Sequence, residues 1–194
     1  MTMLLNRVLA LALIAAVTAC APAQREQPKP PAPSLPVVGG ATMYPHYTIQ
    51  QNLQNSADHK IFVAAINAAG AAPRLSSQGS YTLFAPTDAA FRLLPNGTIE
   101  ALMHPRSRQE LAGLVNYHIV PGARSRSQIM ADVQAGGGGA SYRTAQGGTI
   151  RVTMEAGRIV VTDANGRRSP VSQADIAQAN GVFHVTEAVM LPPA

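Results

Sequence analysis

Charged and aromatic residues are scarce in this chain. Asp, Glu, Lys and Arg make up 13% of its 194 residues, aromatic side chains make up 5%, and tryptophan is absent. Apolar residues nevertheless reach 46%, and the chain has 16 Gly and 15 Pro. This composition excludes a chain that is disordered throughout, and the many turn-forming residues favour a small globular domain over a bundle of membrane helices.

The signatures of common enzyme, phosphate and metal sites are also missing. The chain has no Gly-x-Ser-x-Gly elbow, no His-Glu-x-x-His, no pair of cysteines and no Gly-Lys-Ser/Thr after a glycine loop. The glycine run 136–139 lacks a lysine to meet a phosphate and is interpreted as a flexible surface loop. No catalytic residue, metal site or cofactor is therefore predicted. The histidines are dispersed, without helical ligand spacing: His46, His59, His104, His118 and His184.

Cys20 is the single cysteine, and its surroundings predict a lipid anchor. Arg7 precedes an apolar run, Val8–Val17, which is too short for a membrane-spanning helix of about 20 residues. The run ends in Val17-Thr18-Ala19-Cys20, which resembles the lipobox of bacterial lipoproteins. We expect residues 1–19 to be a signal peptide and Cys20 to be acylated, which holds the protein in the cell envelope, at the outer membrane or a periplasmic face.

Residues 20–41 are interpreted as a spacer between the anchor and the folded part. Six prolines fall in this segment, and nothing in it repeats with the period of a helix or a strand. Such a composition favours an extended, semi-rigid tether of about 3 Å per residue, with a proline-rich recognition motif as the alternative. Residues 42–194 have the size of one domain.

Two helices and a strand are predicted in the first half of this domain. The apolar spacing after residue 60 indicates a helix that Ser56 or Asp58 caps and Gly70 ends. The stretch YTLFAPTDAAFRLLP, residues 81–95, changes from alternating to helical spacing at Pro86, so a strand meets a helix there with Thr87 as N-cap.

The following elements are predicted from capping and alternation. Ser107 and Glu110 form the pattern of a capping box, which predicts a helix to about Asn116. Residues 117–122 are interpreted as a short strand, residues 150–154 and 159–161 as a hairpin, and residues 172–192 as one helical turn, a stop at 180–181 and a strand. Helices first and strands later indicate an α+β fold.

Three stretches together resemble the fasciclin (FAS1) domain family. The first is residues 81–95, the second is LVNYHIVPG at 114–122, and the third is ADIAQANGVFHVTEAVMLP at 174–192. They occur in the family's order and, with the helix before the first, cover nearly all of residues 42–193. The resemblance implies a wedge of two β-sheets flanked by several helices, and a non-enzymatic adhesion or interaction module.

The resemblance also assigns roles to individual residues. It implies that His118 is buried near the core and makes hydrogen bonds there. Tyr117-His118 and Asp175-Ile176 also match integrin-binding motifs of some animal relatives. We favour structural roles, with Asp175 stabilising the positive end of its own short helix, Ser172 capping that helix and Ile176 in the core. The family-motif residues are Tyr117, His118, Asp175, Ile176, Asn180, Gly181 and His184.

A positive charge surplus suggests an anionic partner. The chain has fifteen Lys and Arg, and removal of the predicted signal peptide would remove Arg7. The mature chain would then have fourteen basic residues and ten Asp and Glu. We expect Arg106 and Arg108 to share a side of the domain with Arg124 and Arg126 and to bind an envelope protein, an anionic polysaccharide or a lipid. Nucleic acid is not expected, because the protein is predicted to be exported and aromatic residues are few.

The alternative function is a carrier or sensor for a small apolar or anionic ligand. A deep apolar pocket lined by Phe62, Phe91 or Leu114 would favour the carrier, whereas a filled core with arginines on the surface would favour adhesion.

Overall fold

The computed structural model describes residues 34–193, in which helices dominate the first half and strands the second. The α+β prediction is confirmed. The helices are α1 Ile49–Asn55, α2 Lys60–Ala69, α3 Ala72–Ser76, α4 Asp88–Arg92, α5 Thr98–Met103, α6 Arg108–Tyr117 and α7 Arg126–Ala135. The strands are β1 Val37–Val38, β2 Ala41–Thr42, β3 Tyr81–Pro86, β4 Ile119–Pro121, β5 Ala140–Arg143, β6 Thr149–Glu155, β7 Arg158–Thr162, β8 Arg168–Gln178 and β9 Gly181–Thr186.

Strands β3 to β9 form one mostly antiparallel, seven-stranded sheet, and β1 and β2 form a small two-stranded sheet. The strand order is β4-β3-β9-β8-β7-β6-β5, and only the central pair β3 and β9 is parallel. The long strand β8 joins the two halves, because residues 168–170 pair with β7 whereas the rest pairs with β9 through two register shifts. The two outer strands approach each other, and Ala145 N–H donates to Ile119 O (2.7 Å).

The sheet packs against two apolar cores, and β3 contributes to both, with Leu83 in the first and Phe84 in the second. Helices α1, α2 and α6 pack on β3 and β9, with Leu53, Phe62, Leu114 and Phe183 in the first core. Helix α7 covers β5, β6 and β7 and contributes Ile129 to the second. The helices therefore bury the apolar faces that the sheet leaves uncovered.

The predicted junction between strand and helix at Pro86 is confirmed and also sets the start of α2. Thr87 caps α4 by accepting from Ala90 N–H (3.2 Å). The next residue, Asp88, accepts from Ile61 N–H (2.8 Å) with its carboxylate, in the first turn of α2. The caps predicted from Ser56 or Asp58 are wrong, because α2 starts at Lys60. The Ile61 amide in its first turn is bonded by Asp88 of α4 and not by a residue that precedes α2.

The capping box predicted at Ser107 is also wrong. A 3₁₀ turn, Pro105–Ser107, runs directly into α6, so Ser107 has φ −90° and ψ 12° and lacks the extended backbone of an N-cap. Capping boxes instead begin α1, at Thr48 and Gln51, and α7, at Ser125 and Gln128. Strand β4 is shorter than predicted, because α6 extends through Tyr117.

The helical turn predicted after Ser172 does not form, because this segment belongs to β8. Val171 and Ile176 are buried, and the ladder with β9 provides hydrogen bonds that a single helical turn could not match. The predicted stop at residues 180–181 instead covers the second residue of the two-residue turn 179–180 of the β8–β9 hairpin and the first residue of β9. Asp175 has φ +62°, a conformation that Asp tolerates, and lies where the register shifts.

Residues 37–42 form a small hairpin that extends the folded part into the range assigned to the tether. Gly39 (φ +54°) and Gly40 (φ +76°) form the two-residue turn, which needs a positive φ at both positions. Val38 is 3% exposed, and Gly39 O accepts from Ala57 N–H (3.0 Å). The predicted signal peptide, Cys20 and most of the tether lie outside the described residues. In residues 34–193 no helix is long and apolar enough to cross a membrane.

Gly181 provides a test of the central pairing between β3 and β9. Its φ is +146°, and an added Cβ would overlap the Tyr81 carbonyl oxygen and lie 2.8 Å from the Tyr81 carbonyl carbon. Gly181→Ala is therefore expected to lower the free energy of unfolding by roughly 2–4 kcal/mol, through backbone strain and overpacking.

The matched control is Gly166→Ala, at φ +79° with no atom within 4 Å of the added Cβ. Strain alone should cost it about 1 kcal/mol. Equal losses for the two variants in urea unfolding would contradict the close approach of the strands.

Candidate functional site

His118 is a fully buried ring whose two nitrogens bond the backbone. Met190 N–H donates to Nε2 (3.1 Å), so the ring proton is on Nδ1, which donates to Leu114 O (2.9 Å). Burial lowers the pKa of His118 to about 4, against the opposing effect of the Leu114 carbonyl. The neutral ring thus ties the end of α6 to the C-terminal segment, with no free nitrogen for proton transfer.

Tyr117 makes the corresponding connection to the second half of the sheet. Its hydroxyl donates to Thr149 O (2.9 Å) and accepts from Ala164 N–H (3.0 Å). The residue is fully buried, and burial raises the pKa of its hydroxyl. Tyr117 and His118 together join α6 to both cores and to residue 190, and neither presents a polar group to a partner.

The remaining motif residues near the β8–β9 turn also contact backbone. Asn180 accepts from Ile49 N–H (2.9 Å) and donates to Leu75 O (2.7 Å), which connects the start of α1 with the end of α3. Ile176 is fully buried in the first core, as predicted. Asn180 thus positions α1 and α3 beside the β8–β9 turn.

His184 and Asp175 hold the loop that carries the candidate arginines. Asp175 N–H donates to His184 Nδ1 (3.2 Å), and His184 Nε2–H donates to Arg124 O (2.9 Å). The Asp175 carboxylate accepts from Arg126 N–H (2.6 Å) at the start of α7. Asp175 was predicted to stabilise the positive end of its own short helix, and this is wrong because that helix does not form. The carboxylate instead stabilises the N-terminus of α7.

The same loop is fixed to the edge of the sheet from its other side. Thr82 accepts from Arg124 N–H (2.8 Å) and donates to Gly122 O (2.6 Å) with one buried hydroxyl. Ser80 accepts from Ala123 N–H (2.7 Å). The backbone of residues 122–126, the arginine loop, is thus held by β3, β8 and β9 at once.

Arg124 lies in an opening between the outer strands β4 and β5. The opening has a volume of about 620 Å³, and its lining includes three arginines from separate elements: Arg74 of α3, Arg124 of the arginine loop and Arg143 of β5. The backbone bond from Ala145 N–H to Ile119 O joins the segments on the two sides of the opening. We call this space the arginine opening.

The guanidinium of Arg124 is incompletely paired. Its Nη1 lies 3.8 Å from Asp132 Oδ2, beyond hydrogen-bond distance, and its Cζ lies 5.7 Å from the centre of the Tyr142 ring. Its Nε is buried and has no partner among the described residues. Tyr142 donates to Asp132 (2.8 Å), and burial together with this carboxylate raises the pKa of its hydroxyl. Asp132 is thus shared between Tyr142 and Arg124, and the described residues that line the opening include three arginines and no Asp or Glu.

The other predicted arginines have different surroundings. Arg106 is exposed in the 3₁₀ turn, and Arg108 lines another depression with Ala68 and Leu111. Arg126 donates from its guanidinium to Gly157 O (2.7 Å). Sequence reasoning did not place Arg74 in the site, because nothing in the sequence near α3 indicates that its last turn faces β5.

Metal binding and a deep ligand pocket find no support in the described residues. Within residues 34–193 no three His, Cys, Asp or Glu side chains are grouped to hold a metal ion. Phe62 and Phe91 are buried, with ring centroids 6.2 Å apart, inside the first core. Leu114 lines a surface groove of about 530 Å³ between α5, α6 and the C-terminal segment.

Comparison with known proteins identifies the family. Residues 57–192 match the model of the fasciclin domain. Protein sll1483 of Synechocystis sp. is 32% identical over 157 residues, which are 81% of this chain and 80% of that protein. Human periostin is 33% identical over 145 residues, 75% of this chain but 16% of periostin. The chain belongs to the fasciclin (FAS1) domain family.

A solved structure shows the same fold. The FAS1 domain pair of the insect cell adhesion molecule fasciclin I superimposes with a TM-score of 0.68 at 20% identity, over 76% of this chain and 51% of that chain. The resemblance to the FAS1 fold is thereby confirmed. This identity is low enough that the likeness describes the fold alone.

The neutral His118 predicts a pH dependence of stability. A histidine in the unfolded chain takes up a proton near pH 6.5, whereas folded His118 does so only near pH 4. The unfolded state binds more protons between these values, so this group should reduce stability by roughly 3 kcal/mol as the pH falls from 6.5 to 4. His59 and His184, whose pKa values burial also lowers, act in the same direction.

The measurement is the free energy of unfolding in urea at pH 7, 5.5 and 4.5. His118→Gln should be less stable than the wild type at pH 7 and should lose less further stability on acidification, because its amide does not titrate in this range. Parallel pH profiles for the two proteins would show that His118 does not contribute to the pH dependence.

Proposed function

We propose that this chain is a non-enzymatic adhesion or interaction module of the cell envelope that meets anionic groups of its partner at the arginine opening. The observation that carries the proposal is the convergence of Arg74, Arg124 and Arg143 on one open depression, with Arg124 Nε unpaired. Family membership supports the same class, since fasciclin I is described as a cell adhesion molecule.

The fold supports a binding role for the arginine loop. Five of the seven family-motif residues, Tyr117, His118, Asp175, Asn180 and His184, bond the backbone of neighbouring segments. Through His184 and Asp175 they fix the arginine loop, so Arg124 presents its charge from a rigid backbone. A preorganised cation loses less conformational entropy on binding than a mobile one.

Membrane anchoring is the second part of the proposal and rests on the sequence. The lipobox-like Val17-Thr18-Ala19-Cys20 motif supports acylation of Cys20, and the proline-rich residues after it support a spacer. Such an anchor with a spacer would present the domain at a distance from the membrane, where it can reach a partner in the envelope.

The carrier or sensor remains the second candidate because of the groove beside α6. Leu102, Leu114 and Leu191 give it an apolar lining. The groove is open to solvent and shallow, whereas ligand carriers enclose most of the surface of a bound molecule. The burial of Phe62 and Phe91 in the core further favours the interaction module.

The charge-based interaction is tested by replacing arginines in matched pairs. Arg124→Gln/Arg143→Gln removes two charges from the opening, and Arg106→Gln/Arg108→Gln removes two charges elsewhere. We expect wild type and control to be retained on immobilised lipopolysaccharide, alginate or polyglutamate at low salt, and the first pair to be lost. Retention should fall toward 0.15 M salt, where the Debye length is about 8 Å.

Both pairs should stay folded, because exposed charges contribute under about 1 kcal/mol each, with a larger shift of the urea midpoint for the pair that includes the half-buried Arg124. Equal retention of the two variants would contradict a binding role for the opening. Absence of retention on all three matrices would contradict the proposed function itself.

The anchor is tested by Cys20→Ser, which removes the thiol that would be acylated. The variant should move from the membrane fraction to the soluble envelope fraction, and its mass should lack acyl chains. A control, Ser34→Ala, keeps Cys20 and should stay with the membrane. Membrane retention of Cys20→Ser would contradict the lipoprotein prediction.

A further inference from the structure

The outer edge of β5 carries backbone groups that the sheet does not use. The β5–β6 hairpin closes with Gly147 N–H donating to Thr144 O (3.0 Å) and Thr144 N–H donating to Gly148 O (2.8 Å). Bonded and non-bonded pairs alternate along an antiparallel ladder, so Tyr142 also directs its backbone groups toward β6. Ser141 and Arg143 therefore direct their N–H and C=O groups away from β6, into the arginine opening.

The opposite side of the opening cannot complete a ladder with β5. Phe84 N–H donates to His118 O (3.0 Å), so by the same alternation Ile119 and Pro121 point away from β3. Ile119 O is occupied by Ala145 N–H, and Pro121 has no N–H to donate. Within residues 34–193 the two edges thus meet at one bond, and β5 stays unpaired beside the opening.

The charges around this edge select an acidic occupant. Arg143 lies on β5 itself, Arg124 projects from the arginine loop, and Arg74 approaches from α3. The carboxylate of Asp132 is engaged by the Tyr142 hydroxyl (2.8 Å), and Arg124 Nε lacks a partner. An unpaired strand edge and three arginines therefore face the same space.

We infer that the arginine opening binds an extended, acidic protein segment, which adds to β5 as a further strand. Its backbone would bond Ser141 and Arg143, and its carboxylates would pair with Arg124 and the neighbouring arginines. This inference rests on the proposed function and specifies its partner. A protein segment is favoured over a glycan or a lipid headgroup because only a polypeptide presents N–H and C=O groups at the alternating spacing of a strand.

The test separates backbone pairing from charge. The probe is a fluorescent, capped hexapeptide of alternating glutamate and valine, measured by anisotropy on the full chain in detergent. Two further peptides carry N-methyl groups on all glutamate amides or on all valine amides, with the charge unchanged. In an extended strand the glutamate amides all lie on one edge and the valine amides all lie on the other, and only one edge can pair with β5. One methylated peptide should therefore bind about tenfold more weakly than the parent peptide, and the other should bind like the parent.

A pair of protein variants tests the same contact from β5. Ser141→Pro removes an outward N–H, which an edge strand tolerates, and Ser141→Ala changes only the side chain. We expect about fivefold weaker binding for the proline variant and unchanged binding for the alanine variant, since one hydrogen bond is lost. Their melting temperatures establish that both fold, and Arg124→Gln should weaken binding of every peptide.

The outcomes distinguish the inference from the proposed function. If both methylated peptides bind like the parent, or both bind equally weakly, strand addition is overturned, although a loss with Arg124→Gln would still support an anionic site. Competition by an alginate oligosaccharide as strong as that by the parent peptide would also overturn a protein partner. No binding of any anionic probe would overturn both.

Discussion

The imidazole of His184 bonds two backbone segments that are distant in sequence, β8 at Asp175 and the arginine loop at Arg124. Both bonds require one neutral tautomer, and burial lowers the pKa of His184, which keeps the ring neutral. Asp175 adds its carboxylate to the first amide of α7. The position of the arginine loop therefore depends on a buried, neutral ring, and the start of α7 depends on the neighbouring carboxylate of Asp175.

The division between framework and surface explains what the sequence predicts. Thr87, Gly70 and the β6–β7 hairpin are local features, since a cap or turn is determined by a few adjacent residues. The helical turn predicted near Ser172 failed because the ladder with β9, a tertiary contact, outweighs local preference. Asp88 capping α2 and Asp175 capping α7 are likewise contacts between elements distant in sequence. Arg124 was predicted as a binding residue, but its association with Arg74 depends on the packing of α3.

Outer strands are a hazard for any open sheet, because unpaired backbone groups invite other chains. In this sheet the two edge strands, β4 and β5, limit such pairing in different ways. Pro121 removes a donor from β4, and Arg143 places a charge on β5, which discourages indiscriminate pairing without removing the backbone donors of that strand. A charged edge admits a segment of complementary charge more readily than a neutral one, so protection from aggregation and selectivity for a partner arise from the same residue.

The parallel pairing of β3 with β9 also has a consequence for how the protein forms. Tyr81 pairs with Gly181, one hundred positions later, so the middle of the sheet joins segments that are far apart in the chain. Contacts of such long sequence separation slow folding, because a large loop must close before they form. During synthesis β3 leaves the ribosome long before its central neighbour exists. The nascent domain therefore stays incomplete until β9 has been synthesised.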